Sequence, residues 1–257
     1  MSWLARSSDK AWGERFFLLT TPIWIAAVAA VIFTGWLRSW SDTGYLAFSI
    51  FASAPALFGP LLFARGRDFS GGVPYWIKLN VFAGILVLFG TYFGTHYFFD
   101  SMGMKYAFPE AWSFEAVLVG KSGRRVPVFM YPLTQAYFVT YFTVMVVAYR
   151  RIRNAVTLGW AGRALVVLVL AYAIAFAETF FMATDLMTDL FSYDKREKML
   201  SIGSFGYATY FVVGLPLAAR IDEPEPTSVG RVALEALAAC MLILVLLEAW
   251  VRIIGRL

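Results

Sequence analysis

Long apolar segments are the feature of this sequence that most restricts its fold. Seven of them, each about 20 or more residues long, lie at 16–37, 44–64, 75–99, 128–149, 163–186, 199–219 and 229–254. A helix rises about 1.5 Å per residue, so about 20 apolar residues cross the roughly 30 Å hydrocarbon core of a bilayer. We therefore expect an all-α, polytopic bundle of about seven transmembrane helices. Residues 1–257 are expected to form a single transmembrane domain.

Charge and composition exclude several classes of protein. Only 15% of the residues are charged, whereas soluble domains carry about a quarter. The net charge of +5 does not indicate nucleic-acid binding, because the basic residues lie between the apolar segments as membrane flanks do. The expected partner is the lipid bilayer, and the expected location is a multi-pass position in the endoplasmic reticulum of a eukaryote or the inner membrane of a bacterium.

Metal and redox sites of the common kinds have too few ligands here. The chain has one cysteine, Cys240, and one histidine, His96. A single cysteine allows no intrachain disulfide and no multi-cysteine metal or iron–sulfur site. A single histidine allows neither a bis-histidine haem site nor the histidine cluster of membrane di-iron enzymes. We expect no metal and no cofactor.

One connection between the apolar segments is long. It runs from about 100 to 127 and contains Gly, Pro and charges of both signs. Since long loops inside compact domains usually have a function, we expect an ordered extramembrane lid or hairpin rather than a second domain.

His96 is the first candidate for chemistry inside the membrane. It lies near the end of the third segment, with Tyr92 four residues before it and Asp100 four residues after it. At 3.6 residues per turn these three form one polar stripe. An imidazole titrates near neutral pH and therefore suits proton transfer. The alternative is a structural histidine that bonds to a neighbour.

Glu178 is the second candidate. It lies among Ala, Phe and Met in the fifth segment, with Asp185 about two helical turns later on the expected same face. A charge near the bilayer centre costs about 2.5–3.5 kcal/mol, so this carboxyl should stay protonated until used, as a general acid must. The alternative is a pair with an arginine or a hydrogen bond to another helix.

Other polar and aromatic residues have two possible roles each. Glu14 lies at the start of the first segment, where an interfacial position is the alternative to a binding role. Asn80 can bridge helices. Tyr92, Tyr207 and Tyr210 belong either to interfacial aromatic belts or to a pocket in which positive charge develops.

Motifs along nearly the whole chain carry a resemblance to a known family. The opening reads Trp12-Gly13-Glu14, Phe16-Phe17-Leu18-Leu19, Thr21-Pro22 and Trp24. Next come Pro55, Pro60, Tyr75-Trp76, Lys78 and Asn80, followed by Gly90, Tyr92-Phe93, Thr95-His96-Tyr97-Phe98-Phe99, Gly103, Tyr106 and Phe108-Pro109. Later come Arg150-Arg151, Arg153, Tyr172, Glu178-Thr179, Gly203, Tyr207-Ala208, Tyr210-Phe211, Pro216, Arg220, Asp222-Glu223, Arg231-Val232-Ala233, Met241 and Trp250. This pattern resembles plant cycloeucalenol cycloisomerase, also called cyclopropyl sterol isomerase.

The resemblance implies an intramolecular isomerase that opens the 9β,19-cyclopropane ring of a sterol. Cycloeucalenol would give obtusifoliol without a redox cofactor or metal, through a proton added at the cyclopropane methylene, a cation at C9 and a proton lost from C8. This chemistry needs one acid and one base. We assign these catalytic roles to His96 and Glu178. The expected substrate-binding residues are Tyr92, Thr95, Asn80, Asp185, Tyr207, Tyr210 and Glu14.

Three parts of the sequence differ from the pattern of the plant enzymes. They are the 115–125 segment, Asp100 and the 185–194 region. These differences bear on which sterol is the substrate more than on the type of reaction.

A chain with about seven spans can have other functions. A retinal protein is excluded because the last segment, Arg231 to Leu257, contains no lysine for a Schiff base. A sterol-binding or transport membrane protein and a sterol double-bond isomerase stay open as alternatives.

Overall fold

The protein is mostly helical. The computed structural model describes residues 3–64, 72–109 and 112–257. Its helices are α1 (Ser8–Thr34), α2 (Asp42–Leu57), α3 (Gly59–Phe63), α4 (Tyr75–Phe89), α5 (Thr95–Met102), α6 (Met130–Ala155), α7 (Trp160–Met182), α8 (Arg196–Lys198), α9 (Ser204–Arg220) and α10 (Val229–Ile254). Two π-helical turns, Gly90–Gly94 and Met199–Gly203, join α4 to α5 and α8 to α9 without a break. Every apolar segment of the sequence therefore contains helix.

Five helical runs in the described part are long and apolar enough to cross a membrane. These are Ser8–Thr34, Tyr75–Met102, Trp160–Met182, Arg196–Arg220 and Val229–Ile254. The expected count of about seven is thus not confirmed. Helix α2 has 16 residues and is followed after Phe58 by the short α3. Helix α6 has 26 residues, but its last turns carry Arg150, Arg151 and Arg153.

Buried ion pairs hold one end of the bundle together. We call this the ion-pair end and define it by Asp9, Lys10, Glu14, Lys78, Arg150, Asp222 and Glu223. The Arg150 guanidinium donates two hydrogen bonds to the Glu14 carboxylate, at 2.6 and 2.9 Å. Lys78 Nζ lies 2.7 Å from Asp222, and Lys10 Nζ donates to the carbonyl of Ile221 at 2.6 Å. These contacts join the first turns of α1 and α4 to the last turns of α6 and to the segment that directly follows α9.

The same contacts explain why α1 begins before the apolar segment that predicts it. The helix starts at Ser8, where the Ser7 hydroxyl caps the backbone amide of Lys10. Lys10 and Glu14 are fully buried although both are charged. Their partners are distant in sequence, so the pattern of apolar residues alone places the start of the helix too late.

Short strands cover the opposite end, which we call the strand end and define by β1 (Met104–Tyr106) and β4 (Phe191–Tyr193). These two strands pair antiparallel, with Lys105 opposite Ser192. A second antiparallel pair, β2 (Ser113–Phe114) with β3 (Val126–Pro127), folds the 100–127 connection back on itself. Residues 110 and 111 of that connection lie outside the described residues.

The π-helical turn Gly90–Gly94 brings backbone unusually close to an aromatic ring. A Cβ at Gly94 would lie 1.9 Å from the Tyr210 hydroxyl, and one at Gly90 would lie 2.9 Å from the Tyr210 ring. The two glycines therefore make room for a fully buried tyrosine between α4 and α9. Single π-helical turns within α-helices occur often at functional sites.

Candidate active site

A cavity lies inside the bundle beneath the strand end. Its walls come from the end of α4, the start of α6, the end of α7 and the start of α9, and its cover comes from β1 and β4. The enclosed space measures about 100 Å³, and the empty space is about 590 Å³ when the part open to the outside is included. The first value is smaller than the roughly 300–1,000 Å³ that ligand pockets usually have, so a large ligand must extend through the open side.

Glu178 is the one carboxylic acid among the residues that line this cavity. The Tyr207 hydroxyl donates a hydrogen bond to its carboxyl group. The Tyr141 hydroxyl interacts with the same carboxyl. Two helices, α6 and α9, thus supply phenol hydroxyls that orient an acid carried by α7. A carboxyl oriented in this way can give a proton to a bound molecule and take one back.

Further hydroxyl groups line the cavity. Thr95 is buried, and its hydroxyl donates to the carbonyl of Gly90 at 3.2 Å. Tyr210 is 1% exposed, and its hydroxyl has no hydrogen-bond partner among the described residues. Because buried polar groups are nearly always paired in native proteins, this unpaired hydroxyl on a residue of the cavity wall is unusual.

The remaining wall is mainly aromatic. Phe98 and Phe138 come from the helices, and Tyr106, Phe191 and Tyr193 come from the two covering strands. Burial, and to a smaller extent the nearby Glu178, raises the pKa of the Tyr106 hydroxyl. The pKa of Tyr193 is raised too, first by burial and then by Tyr106 and Glu178. Both hydroxyls therefore stay neutral. The faces of the aromatic rings in this wall carry negative potential, which favours a cation in the cavity.

His96 does not line this cavity. It is 3% exposed, and its Nε2 accepts a hydrogen bond from the backbone amide of Ala116 at 3.3 Å. A Cβ at Gly120 would lie 2.3 Å from Nδ1, so the same connection packs closely over the ring. The neighbouring Thr95 faces the cavity instead. The structure thus does not bring His96 and Glu178 to one shared space.

The polar stripe that contains His96 holds the 100–127 connection in place. Tyr92 donates to the carbonyl of Glu115 at 3.5 Å, and Asp100 accepts from the amide of Lys121 at 2.8 Å. Together with the bond between His96 and Ala116, these contacts place three successive stripe residues against one loop. The stripe lies on one face, as the spacing predicts, and that face contacts protein backbone.

Three further candidates lie away from the cavity. The Asn80 amide donates to the carbonyls of Ala56 and Trp76, at 3.1 and 2.9 Å, and so joins α4 to α2. Glu14 is part of the ion-pair end. Asp185 is exposed in a 3₁₀ turn after α7 has ended at Met182, so the prediction that it shares a helical face with Glu178 was wrong.

The cavity also contains residues that sequence reasoning missed. Thr134 and Phe138 of α6 line it, and Tyr141 bonds to the Glu178 carboxyl; the three lie at helical spacing on one face, a signal that was available in the sequence. Tyr106 and Tyr193 had no such signal, because they come together only through the pairing of β1 with β4. Within the described ranges, no group of three or more His, Cys, Asp or Glu side chains has the arrangement of a metal site.

Comparison with known proteins gives one match over nearly the whole chain. Cycloeucalenol cycloisomerase from Arabidopsis thaliana is 31% identical over 263 residues, which cover 98% of this chain and 89% of the plant protein. No protein-family model matches the chain, and no solved structure matches it. Identity of this extent over both sequences reflects common descent of the whole domain. The chain therefore belongs to the cycloeucalenol cycloisomerase family.

Proposed function

We propose that this protein is a sterol isomerase that opens the 9β,19-cyclopropane ring of a cyclopropyl sterol of the cycloeucalenol type. The observation that carries the proposal is the carboxyl of Glu178 in an aromatic cavity inside the bundle, hydrogen-bonded by Tyr207. Family membership supports the reaction class, since the Arabidopsis relative is named for this isomerisation.

In the proposed reaction the neutral Glu178 donates its proton to the cyclopropane methylene, C19. The C9–C19 bond breaks, its electron pair binds the proton, and a cation forms at C9. Loss of the C8 proton to the Glu178 carboxylate then forms the C8–C9 double bond and restores the neutral acid. Protons added and lost balance, so the reaction needs no oxidant or reductant.

The surroundings of Glu178 suit a short-lived cation. Aromatic faces of Phe98, Phe138 and Tyr207 stabilise positive charge without reacting with it. A cavity with mainly apolar walls also limits water, which would otherwise trap the cation as an alcohol. The hydroxyls of Tyr207 and Tyr141 stabilise the carboxylate that remains after the proton has left.

The Tyr210 hydroxyl is the proposed anchor for the substrate. It is buried and lacks a partner among the described residues, and Thr95 lies beside it on the same wall. A small shift of the Tyr210 ring toward the cavity would let a sterol hydroxyl supply that partner. The cavity of about 100 Å³ receives the part of the sterol next to Glu178, and the rest of the sterol extends through the open side toward the bilayer from which it arrives.

His96 has a different proposed role from the one expected of it. The second acid/base function that the sequence suggests for His96 gains no support from its position outside the cavity wall. Its bond to Ala116 supports a positioning role for the cover of the site instead. The second proton transfer is therefore assigned to the Glu178 carboxylate and its tyrosine partners.

We further propose that α2 with α3 and α6 also cross the membrane, which gives seven crossings. Each is bounded by the same two ends as the five long apolar runs: Tyr45 of α2 stacks on Phe129 near the strand end, and Phe63 of α3 contacts Phe16 of α1 at the opposite side. Buried ion pairs neutralise Arg150 at the end of α6. The membrane is the endoplasmic reticulum of a eukaryote or the inner membrane of a bacterium.

Purified protein in lipid nanodiscs, incubated with cycloeucalenol, tests the function directly. We expect obtusifoliol, identified by gas chromatography and mass spectrometry, with the mass of the substrate unchanged. Tight binding of cycloeucalenol without any product would instead indicate a sterol-binding or transport protein. Conversion of Δ8 sterols but not of cyclopropyl sterols would indicate a double-bond isomerase.

A further inference from the structure

A second open space lies at the ion-pair end, far from the proposed active site. It is a cleft of about 920 Å³ between the last turns of α6 and α9, bordered by the segment that precedes α1. We call it the arginine cleft, because Arg6, Arg150, Arg153 and Arg220 line it.

Positive charge exceeds negative charge in this cleft. Its two acids, Asp222 and Glu223, already have cationic partners: Lys78 lies 2.7 Å from Asp222, and Arg150 Nε lies 3.2 Å from Glu223. Lys10, behind the wall, lies 3.4 Å from Glu223 as well. The acids are therefore neutralised from within the protein, and the remaining arginines determine the potential in the cleft.

Those remaining arginines have donors to spare. Arg6 and Arg153 have no acidic partner among the described residues, and the Arg153 guanidinium lies over the Tyr149 ring at 5.8 Å. Arg220 shares the Glu235 carboxylate with Arg231, at 2.8 and 2.9 Å. Guanidinium groups bind phosphate oxygens with two parallel hydrogen bonds, so three such groups around one cleft suit a phosphate group.

The cleft changes from charged to apolar along its length. Arg150 and Arg153 lie in the last turns of α6, whereas Val146 lies one turn earlier, toward the middle of the helix. On the facing helix, Arg220 ends α9 and the exposed Pro216 lies one turn before it. A molecule that fills this space needs an anionic head next to an apolar body.

We propose that the arginine cleft binds the phosphate headgroup of an anionic phospholipid, with its glycerol and upper acyl carbons against the exposed Pro216. Basic pockets between transmembrane helices bind phosphate headgroups in other membrane proteins. The bound lipid would add a further connection between α6, α9 and the N-terminal segment, beside the aromatic contacts and ion pairs that already join them. A ligand that binds only the folded state raises the melting temperature.

The test compares melting temperatures in phosphatidylcholine nanodiscs with and without added phosphatidylglycerol, for the full chain and two variants. Arg153→Gln removes a donor from the cleft. Arg163→Gln removes an exposed arginine at the same end of the bundle whose side chain does not line the cleft, so it is the matched control. Inorganic phosphate, added to protein in phosphatidylcholine alone, distinguishes a soluble phosphate from a lipid headgroup.

We expect phosphatidylglycerol to raise the melting temperature of the parent protein and of Arg163→Gln, with about five-fold weaker apparent binding in Arg153→Gln. Inorganic phosphate should have no effect if the ligand is a lipid; an increase that Arg153→Gln loses would support the phosphate site with a soluble ligand. Equal responses of the two variants, or no response of the parent, would overturn the proposal, because the effect would then be absent or due to general surface charge.

Discussion

Two carboxyl–tyrosine pairs show how position decides what a residue can do. Glu178 accepts a hydrogen bond from Tyr207 inside the aromatic cavity, whereas Glu248 accepts one from Tyr97 at 2.7 Å on the exposed side of α10. The groups are chemically the same. Only Glu178 has empty space beside it in which a substrate carbon can approach the acid.

The first prediction at this scale concerns Tyr207. Tyr207→Phe removes the hydrogen bond to Glu178 but keeps the ring, so the carboxylate formed during the reaction loses a donor. A bond to a charged group contributes about 1.5–3 kcal/mol, which corresponds to a kcat lower by about 10- to 100-fold. Steady-state conversion of cycloeucalenol measures the loss. Tyr97→Phe, which removes the corresponding bond on the outer surface, should leave kcat unchanged.

The second residue-scale prediction concerns His96. His96→Ala removes the acceptor of the Ala116 amide and leaves space beside Gly120, so the 112–125 loop should open more often. We expect faster proteolytic cleavage of this loop and a reduced but measurable turnover. If His96→Ala had no detectable turnover while the loop stayed as protected as in the parent protein, the histidine would be a proton-transfer group after all.

Elements place these residues where local sequence cannot. The apolar segments predicted the helices well, because a helix that crosses the bilayer needs a continuous run of about 20 apolar residues. Four of the predicted site residues line the cavity: Glu178, Thr95, Tyr207 and Tyr210. They could be predicted because a polar side chain within an apolar segment usually has a function or a buried partner. The strand cover was not predictable, since β1 and β4 come from connections far apart in the sequence.

The element-scale prediction concerns the π-helical turn. Gly94→Ala would place a methyl group 1.9 Å from the Tyr210 hydroxyl, so Tyr210 or the turn must move and the cavity wall must change. We expect loss of most activity although alanine favours helix. Gly84→Ala, ten residues earlier, meets its nearest atom only at 3.6 Å and should keep activity and melting temperature. Equal activity of the two variants would contradict the importance of this close approach.

The two ends of the helix bundle have different roles: one contains the stabilising ion pairs, and the other contains the proposed active site. Buried ion pairs at the ion-pair end join α1, α4, α6 and α9, while the proposed chemistry occurs beneath the strand end. Glu14 was predicted as a binding residue because the sequence does not reveal its partner, Arg150, which lies in a helix far along the chain. A charged residue in an apolar region signals a buried partner or a site, and only the fold distinguishes them.

Removing the charge of Glu14 tests whether the ion-pair end contributes to stability and not to the reaction. Glu14→Gln removes the fully buried partner of Arg150 and leaves that charge with the partly exposed Glu223 alone; breaking a buried ion pair typically costs about 3–5 kcal/mol. We expect a lower melting temperature in detergent, with unchanged kcat for the protein that stays folded. Glu235→Gln, whose arginine partners are exposed, should cost less than about 1 kcal/mol. A reduced kcat in Glu14→Gln would place Glu14 in the reaction and contradict the division.

The up-and-down path of the chain predicts its topology. The N-terminal segment contacts Arg150 at the ion-pair end, whereas the amide of Leu257 donates to Ser101 at the strand end. We therefore expect the two termini on opposite sides of the membrane. Single cysteines at Ser7 and Ser122, introduced after Cys240→Ala, should react with a membrane-impermeant maleimide from opposite sides. Labelling of both from one side would contradict seven crossings.

Product formation by Glu178→Gln, measured beside Glu248→Gln, shows whether Glu178 supplies the proton. Glutamine keeps the size and the hydrogen bond to tyrosine in both variants, but it cannot deliver a proton to the cyclopropane methylene. We expect no obtusifoliol from folded Glu178→Gln protein and parent-level obtusifoliol from Glu248→Gln. Parent-level turnover by Glu178→Gln would show that the proton comes from elsewhere and would contradict the central claim.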